Sequence, residues 1–578
     1  MDEHADIPLR GVTPVSDGNE GELFRKSPVA SVISDHESET ALDSVTENSH
    51  LTESGKSSAS TDSDTRHSVI SSLIASTIVE PISNVLITPT SAPRLGNLWA
   101  ALRSGRVSTL LYSSMVAVMA SLSFGYAMGF SSPALPDLDN NEGKHRFFNK
   151  TIYHDMFNAI AASGGLLGGP LAGWLVDYSG RHFTLVMCSV PFTVGWLIIL
   201  ITEEITGPLY RPVLFLGRFI TGIGIGSASL VVPLYIAEIS PSNLRGLFGS
   251  MNQLAVTAGI LLVQSLGIGV SYLWLTTVAI LVMLIFVPLA AWTLKESPRW
   301  LISRDKNASA SRVLLWLRGP TFDIDEEQKE IEVQIASEGK FTFLQSLPII
   351  ATWPVLHPLI LSMFLMFFQD FSGVNAIIFN GEEIFIQAGV ENASVVTAVT
   401  IGLVQFIGTL IGAFLTDIFG RKILLMVGGV VMCIGMLALS AYDFLKNEPY
   451  CDPDSNDSKC ITNLDALAIG AMVFYVAGFS IGWGALPWLL TSELIPTRVR
   501  GTGVGIATCF SWLTSVIVLA AFGSYEDAVK QWGLFLSFGI IALLSVFFVG
   551  FFIPETKGKS LEEIERYFNR NRNQYIPL

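Results

Sequence analysis

Long apolar stretches alternate with short polar segments along most of the chain, and this alternation predicts membrane-spanning helices. Residues 107–132, 190–202 and 280–294 contain no Asp, Glu, Lys or Arg. An α-helix of about 20 apolar residues crosses the hydrocarbon core of a bilayer. A helix also satisfies the backbone hydrogen bonds of its own segment, which a segment in lipid requires. We therefore predict an all-α membrane protein.

Twelve spans are predicted, in two groups of six separated by a long polar stretch. An even number of spans places both termini on the same side of the membrane. The predicted spans are residues 107–132, 152–177, 183–203, 211–236, 246–270, 272–294, 355–387, 394–417, 422–443, 465–492, 502–523 and 531–553.

The polar segments divide the chain into five predicted regions. The spans form two halves, and the linker between them has helical spacing at residues 304–317 and 326–337. The regions are an N-terminal tail (1–105), a first six-helix half (106–294), a linker with short helices (295–353), a second half (354–554) and a C-terminal tail (555–578).

Composition agrees with this division. The chain is 50% hydrophobic and 15% charged, whereas soluble domains carry about 25% charged residues. Residues 1–70 hold 14 acidic and 5 basic side chains, so much of the net charge of −15 lies in the Ser/Thr-rich tail, which we predict to be disordered.

No basic nucleic-acid footprint is present. No nucleophile, metal cluster or phosphate loop has suitable spacing, so no enzyme, metal or cofactor is predicted.

The orientation follows from the positive charges, which concentrate in the loops on the side of both termini. Because Lys and Arg are enriched in cytosolic loops, both termini are predicted to be cytosolic. The opposite side then carries glycosylation sequons at Asn149 and Asn456. Cys451 and Cys460 flank Asn456 in a loop that faces an oxidising compartment, which predicts a disulfide between them.

Charged motifs at the cytosolic ends of the spans recur in the second half, at offsets of 240, 255 and 259 residues. Such a repeat indicates an internal duplication, and parallel six-span repeats with a site between them are typical of transporters. The matched residues are Asp177 and Arg181 with Asp417 and Arg421, Glu238 and Arg245 with Glu493 and Arg500, and Glu296 with Glu555.

The repeated carboxylates predict ion pairs, because acidic residues add little to the orientation signal and charges at a membrane boundary are costly unless paired. We expect a latch that closes the cytosolic ends when the outer side opens and breaks when it shuts. The alternative is that these residues only anchor loops. Arg299 is assigned to the same set, and Arg218, in span 4, to a structural or gating role.

These motifs, together with residues 217–218, 232–235, 369–375, 482–488 and 554–558, resemble the sugar-porter family of the major facilitators over about residues 107–562. Residues 121–136 are similar to the intracellular-type branch of animal glucose transporters and to arthropod trehalose transporters. The resemblance implies the major facilitator fold with two pseudo-symmetric halves. It also implies facilitated transport of a hexose such as glucose, by a protein that functions as a monomer.

The resemblance further implies a sugar site of amide and indole side chains. Neutral amides offer donors and acceptors to hydroxyl groups without burying a charge, and an indole face suits the C–H patches of a sugar. The alternatives are helix–helix hydrogen bonds for the amides and an interfacial belt for Trp488. The implied site residues are Gln253, Gln369, Asn375, Gln405, Trp488 and Trp512.

Several positions depart from the family pattern. Asp370 stands where a second Gln is usual, Asn380 where Tyr is common and Ser511 where glucose carriers often have Asn. Ala127 occupies the position at which proton-coupled porters carry Asp, so uniport is expected, although Asp370 keeps a proton-coupled carrier of sugar, polyol or organic acid open. A trehalose transporter and a non-transporting sugar sensor are further alternatives.

The sequence of the N-terminal tail bears on which membrane holds the protein. Relatives held in endosomes or lysosomes carry an acidic dileucine signal in the tail, but the pairs at residues 73–74 and 86–87 lack the acidic residue. Because sorting depends on a readable signal, the plasma membrane is favoured, with the endosomal or lysosomal membrane as the alternative.

Overall fold

The computed structural model describes residues 108–140, 151–205, 207–241, 244–319, 324–338, 343–447, 465–496, 499–559 and 561–570. All of them belong to one compact unit of residues 89–578. They form helices, and no β-strand occurs among them. Asn149, Asn456, Cys451, Cys460 and the N-terminal tail lie outside the described residues, so the structure does not test the predictions made for them.

The first half contains six spans, of which two are each built from two consecutive helices. Helices α1 and α2 form the first span, and α4 and α5 form the third. The helices are α1 Ser108–Gly129, α2 Ser131–Asn140, α3 Thr151–Ser179, α4 Arg181–Met187, α5 Ser189–Ile201, α6 Tyr210–Ile239, α7 Arg245–Gly267 and α8 Tyr272–Thr293.

Four linker helices follow; the second of them docks on the first half, whereas the last packs against the second half. Arg318 Nη1 donates to the carbonyl oxygen of Ile239 at 2.9 Å, and Thr109 Oγ1 donates to that of Trp316 at 3.0 Å. Arg318 also pairs with Glu327 at 2.6 Å, which joins two linker helices. The linker helices are α9 Pro298–Ser303, α10 Asn307–Arg318, α11 Ile324–Glu338 and α12 Phe343–Ile350.

The second half is more interrupted than the first. Two of its spans contain π-helical turns, at Ala398–Leu403 and Phe479–Trp483; such turns occur frequently at functional sites. The helices are α13 Trp353–Phe371, α14 Val374–Gln387, α15 Ala393–Thr397, α16 Val404–Phe419, α17 Arg421–Asn447, α18 Asp465–Gly478, α19 Leu486–Leu494, α20 Arg500–Phe552 and α21 Leu561–Arg570.

Eleven helical segments in the described part of the chain are long and apolar enough to cross a membrane. The last of them, α20, has 53 residues and is more than twice as long as a bilayer core of about 30 Å requires. Lys530 interrupts it with a φ of 63° and a ψ of 163°. The parts on either side, 500–529 and 531–552, match the last two predicted spans, so the structure is consistent with twelve spans.

Three boundaries differ from the predicted ones. The first span continues beyond residue 132 through α2, and the seventh is broken where Gly373 takes a φ of 93° and ends α13. The C-terminal tail contains α21, whose Ile564 and Phe568 are buried in the core. Each difference lies in a polar or Gly-containing segment, where apolar length does not define the helix end.

The two halves meet along the bundle at small residues. A methyl group at Gly165 in α3 would lie 2.9 Å from the ring of Trp512 in α20, and one at Gly402 would lie 3.0 Å from Gln264 Oε1 in α7. Small residues permit such close helix contacts. We call the end of the bundle that carries Arg181 and Arg421 the motif face, and the other end the opposite face.

Candidate functional site

The carboxyl group of Asp370 is buried in the second half, just before the break at Gly373. It is 3% exposed. Its Oδ1 accepts a hydrogen bond from Ser515 Oγ at 3.0 Å, and its Oδ2 accepts from Ser511 Oγ at 3.1 Å and Thr514 Oγ1 at 2.5 Å. All three hydroxyl groups belong to α20, so the carboxyl group connects α13 to α20. These hydrogen bonds offset part of the cost of an acidic side chain inside a span.

Asn375 follows the same break and is turned toward this carboxyl group. Its Nδ2 donates to Asp370 Oδ1 at 2.9 Å and to Ser515 Oγ at 2.8 Å. Both hydrogens of the amide are thereby used, since an amide nitrogen carries two donors. The amide oxygen remains for a further partner.

Gln369 connects α13 to the break in the tenth predicted span. Its Nε2 donates to the carbonyl oxygen of Trp483 at 2.7 Å and approaches that of Gly484 at 3.3 Å. These carbonyl groups lie where the π-helical turn at Phe479–Trp483 leads into α19. The indole Nε1 of Trp483 donates to the carbonyl oxygen of Leu425 at 2.9 Å, which fixes the turn against α17.

The other four implied sugar-site residues lie on four different helices. Gln405 on α16 and Trp512 on α20 are buried, and Gln405 Oε1 and Trp512 Nε1 have no hydrogen-bond partner among the described residues. A buried polar atom without a partner costs about 1–3 kcal/mol, and a ligand or water can satisfy it. Gln253 on α7 and Trp488 on α19 are half-buried.

Arg218 was expected to have a structural or gating role, and that role stays a prediction. Its side chain is 0% exposed and forms no ion pair with any described residue. Its Nη1 donates to the carbonyl oxygen of Ala127 at 3.1 Å and its Nη2 to Ser131 Oγ at 2.8 Å. The guanidinium also lies 4.8 Å from the centre of the Phe157 ring. Arg218 thus binds the junction of α1 and α2, deep in the first half.

Two ion pairs lie on the motif face at matched positions of the two halves. Arg181 Nε lies 2.9 Å from Glu238 Oε2, and Arg421 Nη2 lies 3.3 Å from Glu493 Oε1. The first pair is better buried, since the two side chains are 14% and 7% exposed against 17% and 18% for the second. Ser297 Oγ also donates to Glu238. Each pair lies within one half and joins helix ends there.

Two further carboxylates of the repeat bind the start of a helix. Glu296 Oε1 accepts from the backbone N–H of Arg181 at 2.8 Å, at the start of α4. Glu555 accepts in the same way from Arg421 at 3.1 Å and Lys422 at 3.0 Å, at the start of α17. A carboxylate stabilises a helix N-terminus by accepting its unpaired N–H groups and opposing the helix dipole.

The remaining residues of the predicted latch have other environments. The backbone carbonyl oxygen of Asp177 accepts from Arg304 Nη2 at 2.7 Å, and its side chain and that of Arg245 are exposed. Arg500 Nε donates to the carbonyl oxygen of Ile495 at 3.4 Å. Arg299 contacts a partner within the described part of the chain. The side chain of Asp417 is not among the described ones.

On the opposite face, polar contacts join the two halves. Asp155 Oδ1 on α3 accepts from the backbone N–H of Gly523 on α20 at 3.0 Å. Asn158 Nδ2 donates to Asn380 Oδ1 at 2.7 Å, and Ser132 Oγ accepts from the backbone N–H of Glu382 at 3.0 Å. We call these three contacts the opposite-face closure.

A histidine adds a charged contact beside the closure. His154 Nε2 lies 3.0 Å from Asp139 Oδ2 in the first half, and its Nδ1 lies 3.2 Å from Glu383 Oε2 in the second. The opposite face is therefore closed while the ion pairs of the motif face are intact. The expected alternation, in which those pairs break when the outer side shuts, stays a prediction.

Asp155→Ala is expected to open the opposite face. The substitution leaves the N–H of Gly523 without its carboxylate and removes a charge-assisted hydrogen bond between the halves, a loss of about tenfold in the closed population. A cysteine at the buried Ile384, which lines the same small cavity as Asp155, should then react about tenfold faster with a maleimide. Glu391→Gln, at an exposed position, is the control. An unchanged rate in Asp155→Ala would contradict a closing role.

Sequence reasoning missed the hydroxyl groups that bind Asp370 and most of the opposite-face closure. Ser511 was singled out only as a departure from the family pattern, and Asn380 likewise. Thr514, Ser515 and Asn158 are small polar residues in apolar runs, a weak signal at best. Their partners are 144, 145 and 222 residues away along the chain.

Comparison with known proteins agrees with this geometry. The family model "Sugar (and other) transporter" matches residues 113–568. The chain is 33% identical over 477 residues to the mouse solute carrier family 2, facilitated glucose transporter member 8, covering 81% of this chain and 96% of the relative. It is 32% identical over 467 residues to the facilitated trehalose transporter of Apis mellifera ligustica, covering 80% and 89%.

Solved structures of a bacterial xylose transporter have the same fold. The partially occluded, inward-open form of that transporter from E. coli has a TM-score of 0.65 and 25% identity, covering 78% of this chain and 100% of the other. The proton:xylose symporter bound to 6-bromo-6-deoxy-D-glucose has a TM-score of 0.66 and 27% identity, covering 80% and 99%.

Two related helical halves, with uncharged polar side chains buried at helix breaks, define a membrane carrier of the major facilitator class. The family match and the relatives that share a third of their residues make the assignment more specific. The chain belongs to the sugar transporter family. The predicted fold class is confirmed, and so is the prediction that the protein is a transporter rather than an enzyme.

Proposed function

We propose that this protein carries a hexose such as D-glucose across the membrane by facilitated, alternating-access uniport. The observation that carries the proposal is the group of amides at the helix breaks of the second half. Gln369 and Asn375 lie on either side of the Gly373 break, and both are buried. Broken helices at membrane depth are where transporters bind their substrates, and neutral amides suit a neutral polyhydroxylated ligand.

The remaining site residues support the same ligand class. Gln405 Oε1 and Trp512 Nε1 are a buried acceptor and a buried donor without partners among the described residues. Together with the half-buried Gln253 and Trp488, they provide both polar partners and aromatic faces. We propose that these residues line the sugar site between the two halves.

Uniport is proposed because α1 provides no carboxylate. Arg218 Nη1 donates to the backbone carbonyl of Ala127 at 3.1 Å, at the position where proton-coupled porters of the family carry Asp. No residue of α1 is acidic. Proton-coupled symport is the second candidate, and the buried carboxyl group of Asp370 is the observation that favours it.

Uptake by the purified protein in proteoliposomes tests both the substrate and the mode. We expect saturable uptake of radiolabelled D-glucose from a panel that includes fructose, trehalose and inositol. Uptake should be unaffected by an inward proton gradient and should not acidify the vesicle interior. Glucose-dependent acidification would establish symport, transport of trehalose alone would replace the hexose assignment, and absence of flux for every sugar would favour a sensor.

The orientation and location proposed for the protein follow the charge pattern. We propose that both termini and the motif face are cytosolic, that Asn149 and Asn456 carry glycans, that the protein resides in the plasma membrane and that it functions as a monomer. Imaging a tagged full-length protein tests the location, since persistent overlap with lysosomal markers without surface labelling would contradict it.

A disulfide between Cys451 and Cys460 is expected in the loop that carries Asn456. An oxidising compartment permits it, and it would close a short loop around the glycan. Alkylation of the unreduced protein followed by mass spectrometry should leave both cysteines unmodified, whereas the buried Cys188 and Cys433 are free thiols that react once the protein is denatured. Alkylation of Cys451 and Cys460 without reduction would rule the disulfide out.

A further inference from the structure

We propose that Asp370 determines which sugars are recognised, by holding the amide of Asn375 so that only its oxygen faces the sugar. In this arrangement the amide of Asn375 reads a hydroxyl group of the sugar as a hydrogen-bond donor. The inference rests on the proposed function, because it concerns the site of a carried sugar. Asp370 acts here as a positioning residue through Asn375.

The orientation of the Asn375 amide is imposed by its neighbours. Asp370 Oδ1 lies 2.9 Å from Asn375 Nδ2 and also accepts from Ser515 Oγ at 3.0 Å, so this oxygen is an acceptor toward both neighbours. Turning the amide over would place its oxygen against the carboxylate oxygen, where two acceptors repel. The orientation of an amide is an assignment from the surrounding hydrogen bonds, and this carboxylate leaves one choice.

Both donors of that amide are already occupied. The second hydrogen of Nδ2 is donated to Ser515 Oγ, which lies 2.8 Å away and in turn donates to Asp370 Oδ1 at 3.0 Å. Asn375, Ser515 and the carboxylate thus form a closed triangle of hydrogen bonds. Only Asn375 Oδ1 is left, and it can bind a sugar hydroxyl group only by accepting a hydrogen bond from it.

Gln369 presents the same chemistry on the other side of Asp370. Its Nε2 is directed at the carbonyl oxygens of Trp483 and Gly484, at 2.7 Å and 3.3 Å. Carbonyl groups also only accept, so this amide cannot be turned over without losing both contacts. Its Oε1 is the atom available to a ligand. Two neighbouring amides therefore provide acceptors and withhold donors.

A carboxylate at position 370 enforces this pattern, whereas an amide would not. The Gln usual at this position in the sugar-porter family carries both an acceptor and two donors, so it could satisfy Asn375 in either orientation. The carboxyl group is itself held in place, because Ser511 and Thr514 donate to its second oxygen at 3.1 Å and 2.5 Å. Asp370 thereby converts a group that could donate or accept into an acceptor.

Deoxy and deoxyfluoro sugars distinguish the two kinds of recognition. Removing a hydroxyl group removes both its donor and its acceptor, whereas fluorine in its place keeps a weak acceptor and no donor. If a hydroxyl group is read as a donor, both changes should weaken binding alike. If it is read as an acceptor, the fluoro derivative should bind better than the deoxy derivative.

The test is competition against D-glucose counterflow in proteoliposomes of the full-length protein. The competitors are the deoxy and deoxyfluoro derivatives of D-glucose, one hydroxyl group at a time. For at least one hydroxyl group, both derivatives should compete about tenfold less well than D-glucose in the unmodified protein. In Asp370→Gln, the fluoro derivative should compete several-fold better than the deoxy derivative at that same position.

Ser515→Ala provides an independent variant, because it frees one amide hydrogen of Asn375 while keeping Asp370. It should also make the fluoro derivative compete better than the deoxy derivative. The inference can therefore be tested with this variant if Asp370→Gln fails to fold. Glu391→Gln, a carboxyl-to-amide change at an exposed position, should leave the ratio at the unmodified value.

Two results would overturn the inference while leaving glucose transport established. One is that, with the unmodified protein, the fluoro derivative competes as well as D-glucose whichever hydroxyl group of the sugar is replaced. The other is an unchanged ratio in both Asp370→Gln and Ser515→Ala. Absence of any D-glucose counterflow is a different result, since it overturns the proposed hexose function and this inference with it.

Discussion

Gln369→Ala is expected to reduce the kcat/KM of sugar uptake by about tenfold to a hundredfold. The amide is buried, and its removal takes away one acceptor for the sugar. It also leaves the carbonyl oxygen of Trp483 without its donor, since Gln369 Nε2 donates to it at 2.7 Å. Each unpaired buried group costs about 1–3 kcal/mol, and about 1.4 kcal/mol is a factor of ten. Initial rates of radiolabelled uptake over a range of sugar concentrations measure the effect.

Companion variants test the rest of the site in the same assay. Asn375→Ala and Trp488→Leu should also cripple uptake, while expression and detergent-solubilised folding remain close to those of the unmodified protein. Gln345→Ala, an exposed glutamine of the linker helix α12, is the matched control and should transport normally. Near-normal kinetics in all three site variants would refute the assignment of the sugar site.

Arg181→Ala is expected to destabilise the protein by about 3–5 kcal/mol, because it leaves a buried carboxylate without its cation. Glu238 is 7% exposed and lies 2.9 Å from Arg181 Nε; after the substitution, the hydroxyl group of Ser297 is the remaining side chain that donates to it in the described part of the chain. The melting temperature of the purified protein in detergent measures the loss.

The second half provides the comparison for this variant. Arg421→Ala removes the matching pair, whose atoms are 3.3 Å apart and whose side chains are 17% and 18% exposed, so its effect should be smaller. The double variant Arg181→Ala/Glu238→Ala should recover much of the stability, because no unpaired charge remains. Equal losses in the two single variants, or no recovery in the double variant, would contradict this account of the pairs.

The span positions could be predicted from the sequence because bilayer thickness sets the length of each apolar run. The tenth span also contains Gly482 and Pro487, residues that weaken a helix, and the structure has a π-helical turn and the start of α19 there. The family relation was carried by ordered motifs in both halves. In each case the signal is local, or repeats at a fixed offset, and can be read without knowing which helices are neighbours.

The neighbours themselves could not be predicted. Asp370 was recognised as a departure from the family pattern, but its partners Ser511 and Thr514 lie 141 and 144 residues away along the chain. Arg218 was assigned a structural or gating role, but its contacts at the junction of α1 and α2 could not be read from the sequence. One sequence gives the chemistry of each residue, whereas its partner depends on how the helices pack.

Counterflow in proteoliposomes tests the central claim most directly, namely that a sugar binds between the two halves and is carried across the membrane. Vesicles that contain the purified full-length protein are loaded with unlabelled D-glucose and diluted into a trace of radiolabelled D-glucose, without any ion gradient. The account predicts that label accumulates transiently above its equilibrium level, and that this overshoot disappears in Gln369→Ala. Label that only approaches equilibrium, at the same rate as in protein-free vesicles and for every sugar of the panel, would contradict it.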